Sequence, residues 1–172
     1  MGSDSKQRKI DTALNAARQR HAPGVASGRP LPRSESPGVL VVEADPDLQW
    51  RLARMLTVQG NRVVGTGSGD GALALVEQWP VDLVLVGEDL PGMNGLEVAR
   101  RMSRDYPQIP VVLMTANEDQ AVQREAFLAG VLGCLRKPFQ FDALTELLES
   151  LASPLADPTL ILDPALLAGP AE

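Results

Sequence analysis

Five short apolar runs rich in β-branched residues recur through the middle of the chain, and no other feature constrains its fold as strongly. They occupy Val39–Val42, Arg62–Gly65, Val81–Val86, Val111–Met114 and Gly133–Leu135. Each has strand length and little of the in–out alternation of a half-exposed strand, so they read as strands buried on both faces. Helical stretches lie between and after them, near 46–58, 70–78, 95–104, 118–129 and 141–151. In the first of these, Leu48, Leu52, Met55 and Leu56 repeat with the helical period and predict a core-facing stripe. Strand–helix alternation repeated five times implies right-handed crossovers and a parallel sheet covered on both faces. The predicted class is a doubly wound α/β domain, with any site at the carboxyl ends of the strands.

The flanks differ in kind, and the chain divides into an arm (1–22), a linker (23–38), the α/β domain (39–152) and a tail (153–172). In the arm, Ile10, Ala13, Leu14 and Ala17 fall at i, i+3, i+4 and i+7, which predicts one amphipathic helix over 5–21. Its stripe is too small to hold a helix of this length in water unaided. The linker has ten Pro, Gly or Ser among sixteen residues. These features predict that residues 1–37 order only in a complex. The tail contains ADPTLI followed by LDPALL, two Asp-Pro units suited to an N-cap and first helical residue. Its Leu160, Ile161, Leu162, Leu166 and Leu167 are apolar enough to need cover from this domain or a partner.

Charge narrows the partners. Residues 1–37 carry seven Lys/Arg and three Asp/Glu, which leaves nine and nineteen for residues 38–172 out of totals of 16 and 22. The arm is therefore net +4 and the body net −10, and an acidic body argues against a nucleic-acid-binding core. The arm has no aromatic residue to stack on a base, the first Trp being Trp50, which argues against sequence-selective binding. No apolar run reaches the ~20 residues of a membrane helix. The opening MGSDSKQRKI lacks the apolar segment of a secretion signal and, with Lys6 in place of Ser or Thr, the myristoylation pattern. Cys134 is the one cysteine, consistent with a reducing compartment, and the expected location is cytoplasmic. His21 stands in the arm with no evident partner, and Trp50 and Trp79 read as packing residues on or near helices.

Four stretches carry a family resemblance: VLVVEADP (39–46), VDLVLVGEDLPGMNGLEV (81–98), PVVLMTA (110–116) and GCLRKPF (133–139). In this order and spacing they resemble the receiver domain of bacterial response regulators, over roughly residues 38–152. The resemblance implies a flavodoxin-like five-stranded parallel sheet of order 2-1-3-4-5 with five helices. It also implies phosphoryl transfer onto an aspartate, which needs a carboxylate nucleophile, a Mg²⁺ on acidic oxygens, and donors for the phosphoryl charge.

The chain departs from that pattern where the chemistry lies. The family's nucleophile stands four residues before the loop proline, here Pro91, and that position is Gly87. Glu43 matches the first member of the acidic pair, but the second, the direct metal ligand, is Ala44. Asp45 reads as the N-cap of a helix opening at Pro46. Thr115 and Lys137 match the residues that follow and pair with the phosphoryl group, while the aromatic switch position holds Cys134. Lys137 and Glu43 are expected to face one another as an ion pair, and the Lys137-Pro138 bond is expected to be cis by resemblance. Glu88 should point away from the position of Gly87, and Asp89 lies ~6.6 Å further along an extended chain. Both read as solvated loop carboxylates. Gly92 and Gly95 read as a turn entering the third helix.

The favoured function is a phosphorylation-independent adaptor or scaffold in bacterial signalling or complex assembly, not an enzyme, with no cofactor, metal or small-molecule substrate. Its partner is a protein. By resemblance the partner face runs through Glu118–Ala129, Gly133–Leu135 and Phe141–Leu151. Ile10, Leu14, Leu162, Leu166 and Leu167 are candidate docking residues for a partner's groove. Two rivals remain open: a phosphorelay receiver using Asp89 as displaced acceptor, and a nucleic-acid or membrane tether acting through the basic arm.

Overall fold

The computed structural model describes residues 36–140 and 142–146, so the arm, most of the linker and the tail, with Ile10, Leu14, Leu162, Leu166 and Leu167, lie outside the described residues. Five strands alternate with helices: β1 Gly38–Val42, α1 Pro46–Val58, β2 Arg62–Thr66, α2 Gly69–Gln78, β3 Leu83–Gly87, α3 Gly95–Asp105, β4 Val111–Thr115, α4 Gln120–Leu128 and β5 Gly133–Arg136. Residues 142–146 are helical and are called α5. All strand pairs are parallel, in the order β2-β1-β3-β4-β5.

The two-residue period of the strands sorts the core into two layers. Val39, Val41, Leu83, Leu85, Val112, Met114 and Leu135 pack with Leu52 and Leu56 of α1 and Leu144 of α5. Leu40, Val42, Val84, Val86, Val111, Leu113 and Cys134 pack with residues of α2, α3 and α4, Met102 and Ala126 among them. With both faces covered, β1, β3 and β4 are buried along their whole length, which explains their unbroken apolar runs.

Helix starts are set by side chains that accept from otherwise unpaired backbone N–H groups. Asp45 accepts from Asp47 N and Leu48 N, with Pro46 opening α1, as the sequence predicted. Ser68, Asn94 and Asp119 cap α2, α3 and α4. Gly92, in the turn before α3, has φ +77°, a left-handed conformation that glycine adopts at no steric cost.

Two readings of α1 need correction. Leu52 and Leu56 are buried and Leu48 packs against them, but Met55 is 40% exposed. Nor is Trp50 a packing residue: it is 62% exposed, with the Arg54 guanidinium 5.4 Å from its ring centroid. Trp79, at the end of α2, is half-buried, and the Arg62 guanidinium lies 4.9 Å from its ring.

Candidate functional site

The carboxyl ends of β1, β3, β4 and β5 converge on one small polar patch. The hydrogen-bond ladder runs past the strand ends: Glu43 N donates to Thr66 O at 3.0 Å, Glu88 N to Met114 O at 2.9 Å and Lys137 N to Thr115 O at 2.8 Å. The two-residue period of each strand then decides which side chains meet. Glu43, Gly87 and Lys137 continue the α1/α5 layer, while Glu88 and Thr115 continue the layer that holds Cys134.

On the first side, Lys137 Nζ donates to Glu43 Oε2 at 2.5 Å, across 94 residues of sequence. Glu43 is 3% exposed, and its other oxygen accepts from Asp45 N at 3.1 Å. The expected ion pair is therefore present, and it is largely desolvated on the carboxylate side. Gly87 is buried beside it, and a Cβ added there would lie 2.8 Å from Glu43 Oε2. The end of the Glu43 side chain thus takes up part of the space a side chain at position 87 would need. The Lys137-Pro138 peptide bond is cis, as the resemblance implied.

On the second side, Thr115 Oγ1 donates to Glu88 Oε2. The same hydroxyl oxygen accepts from Asn117 N at 2.9 Å. Cys134 is buried and its thiol is pushed up to about 11, by burial first and then by the negative charge of Glu88. It is a packing residue with an inert thiol rather than a swinging group.

The expectation for Glu88 was half right. It does point away from Gly87, but it is not a solvated loop carboxylate, because the Thr115 hydroxyl holds it. The sequence carried a signal for this contact. Gly87 pairs with Met114 across β3 and β4, so the next residues, Glu88 and Thr115, lie opposite each other and share a face. Asp89 is exposed, and Ala44 and Asp45 lie at the exposed rim, Asp45 engaged in its cap.

These side chains do not suit a Mg²⁺ site. A hard cation of this kind takes carboxylate oxygens in near-octahedral array. Here Ala44 and Gly87 supply none, Glu43 is held by an ammonium and a backbone N–H, and Asp45 caps a helix. Among the described residues no three His, Cys, Asp or Glu come together as a metal-binding group.

Residues 39–149 match the family described as the response regulator receiver domain. This chain belongs to that family. It is 33% identical over 129 residues to the transcriptional regulatory protein TcrA of Mycobacterium tuberculosis, an alignment covering 75% of this chain and 51% of that protein. It is 32% identical over 111 residues to the DNA-binding transcriptional regulator NtrC of Salmonella typhimurium, covering 64% of this chain and 24% of that protein. The chain therefore spans about half or less of the length of these curated relatives, and the DNA-binding in the second name is said of that protein. Among solved structures, the receiver domain of the sensor histidine kinase PA1611 from Pseudomonas aeruginosa, with a magnesium ion in its active-site cleft, matches with TM-score 0.61 and 27% identity over 68% of this chain and 98% of that one. The chemotaxis protein CheY4 of Vibrio cholerae matches with TM-score 0.63 and 24% identity, covering 67% and 98%. As a receiver domain the chain serves two-component signalling, and no described helix is long and apolar enough to cross a membrane.

Proposed function

We propose that this receiver domain signals without being phosphorylated, as a cytoplasmic adaptor or scaffold that works by binding a protein partner. The observation that carries the reading is Gly87, at the nucleophile position, with the Glu43 carboxylate so close that a Cβ there would meet it at 2.8 Å. An acyl phosphate needs a carboxylate at that place, and Glu43 and Lys137 instead satisfy one another. Ala44 also removes a metal ligand, and Cys134 replaces an aromatic switch with a small buried thiol.

Incubation with acetyl phosphate and millimolar Mg²⁺, read on a phosphate-affinity gel and by intact mass, tests this. The expected result is unmodified protein and an unchanged melting temperature, since a ligand that binds the native state raises its stability by mass action. An acid-labile phosphoryl adduct on Asp89 would establish a displaced acceptor and overturn the proposal. For the extensions, the proposal assigns Ile10 and Leu14 of the arm and Leu162, Leu166 and Leu167 of the tail to partner docking. Binding that persists in salt but is lost in I10D/L14D supports groove docking. Salt-sensitive binding that depends only on Lys6, Arg8 and Lys9 makes the arm an electrostatic tether for nucleic acid or membrane.

A further inference from the structure

A continuous run of hydrogen bonds leaves the end of β3 and finishes on the first turn of α4. Thr115 Oγ1 donates to Glu88 Oε2 and accepts from Asn117 N at 2.9 Å. Asn117 Oδ1 accepts from Asp119 N at 2.9 Å, and Asp119 Oδ1 accepts from Ala121 N at 2.8 Å as the N-cap of α4. Glu118, in the same loop, pairs with Arg136 at the end of β5. Every residue of the loop from 117 to 119 is thus tied to a neighbour.

The direction of the run matters. A threonine hydroxyl has one proton to give. Because Glu88 accepts it, the lone pairs of Oγ1 are turned toward Asn117 N. A carboxylate acceptor makes this the stronger, charge-assisted kind of bond, and Thr115 is 3% exposed, so water does not compete for the hydroxyl. Lys137 cannot substitute as the fixed charge at this point, because its ammonium is held on the other face of the sheet by Glu43.

We propose that Glu88 is a built-in anion that holds Thr115, the 116–119 loop and the start of α4 in one arrangement with no external ligand bound. This inference deepens the phosphorylation-independent reading and rests on it for its biological sense. The anchor itself is a property of the unmodified chain.

Backbone amide exchange in the full chain, resolved by residue, tests it with E88A, E88Q and T115V. A hydrogen bond to a charged group is worth enough to change a local opening equilibrium by about tenfold or more. E88A is expected to speed exchange at Asn117, Asp119 and Ala121 by about that factor while β1 and β3 keep their protection. T115V should reproduce the effect, and E88Q should give a smaller one, since its amide oxygen is a neutral acceptor. Unchanged exchange at these three amides in E88A would overturn the anchor. If E88A loses protection throughout, E88Q decides: loop amides that exchange no faster relative to the sheet refute the proposal. Phosphorylation of Asp89 by acetyl phosphate would refute the adaptor reading alone, because the exchange experiment is run on unmodified protein.

Discussion

Lys137 holds its ammonium 2.5 Å from the same oxygen of Glu43 that a Cβ on residue 87 would meet at 2.8 Å. The pair and the glycine are therefore one arrangement rather than two separate losses. With no side chain at 87, the Glu43 carboxylate and the Lys137 ammonium close directly on each other. In a site that accepted a phosphoryl group, each would need to face a third partner.

Restoring the missing carboxylate by itself should do harm. Gly87 is not among the glycines with positive φ, so its backbone admits a side chain, and what a Cβ would meet is the far end of the Glu43 side chain. Both G87A and G87D shift the Glu43 carboxylate and disturb its bond to Lys137. Because the displaced atoms end a flexible side chain, the cost falls near the low end of the about 1–3 kcal/mol of overpacking. The expected outcome is a lower urea midpoint for both variants. G87D should also stay unlabelled by acetyl phosphate unless Ala44→Asp is added, because the metal-side carboxylate is still missing.

The ion pair itself should behave asymmetrically. Removing Lys137 leaves the Glu43 charge buried with a single backbone N–H at 3.1 Å for company. Stranding a buried charge costs about 3–5 kcal/mol, whereas replacing both partners with apolar groups is often near neutral. K137M is expected to fall in that range by urea denaturation, and K137M/E43L to recover most of the loss. Equal losses in the single and double variants would mean that the pair's stabilising role lies in packing and not in charge.

Much of this domain was legible from residues alone. Five apolar runs gave five strands within a residue or two, since a sheet covered on both faces leaves the alternating pattern no polar side to show. β2, expected to be buried, is the exception, because it lies at the sheet edge and is only part-buried along its length. The Glu43–Lys137 pair followed from the family resemblance. What was not legible had two causes. Met55 and Trp50 fall near the apolar stripe of α1, but the period alone does not give the width of the face that the sheet covers, and both lie outside it. The apolar run of β3 stops at Val86, so the sequence places Glu88 in a loop. Its backbone bond to Met114 carries the ladder one step further, and that step puts it opposite Thr115.

That distinction within α1 gives a sharp contrast in stability. Leu52 is 2% exposed and belongs to the α1/α5 layer, so L52A should cost about 2–5 kcal/mol through lost burial and a residual cavity. Met55, three residues on, should tolerate alanine within about 0.5 kcal/mol, as surface positions do. Comparable losses for the two variants in thermal or urea unfolding would place Met55 under cover that the described residues do not provide.

Cys134 ties the second face of the pocket to pH. Burial and the nearby Glu88 charge push its thiol up to about 11. The charged form of a thiol is the anion, so a raised value means that the native state keeps a proton which the unfolded chain gives up sooner. The sign follows: this contribution to stability is fully present below about pH 9, the ordinary value, and is lost as pH rises through about 11. Between those limits wild type should lose stability more steeply than C134A in urea titrations. Near neutral pH the thiolate fraction is negligible, so iodoacetamide should label the native protein only as fast as it opens, and labelling should become rapid in denaturant. Rapid alkylation of the folded protein at neutral pH would show that the thiol is neither buried nor held by the Glu88 charge in its protonated form. It would also remove the support Cys134 gives to a pocket whose second face is fixed.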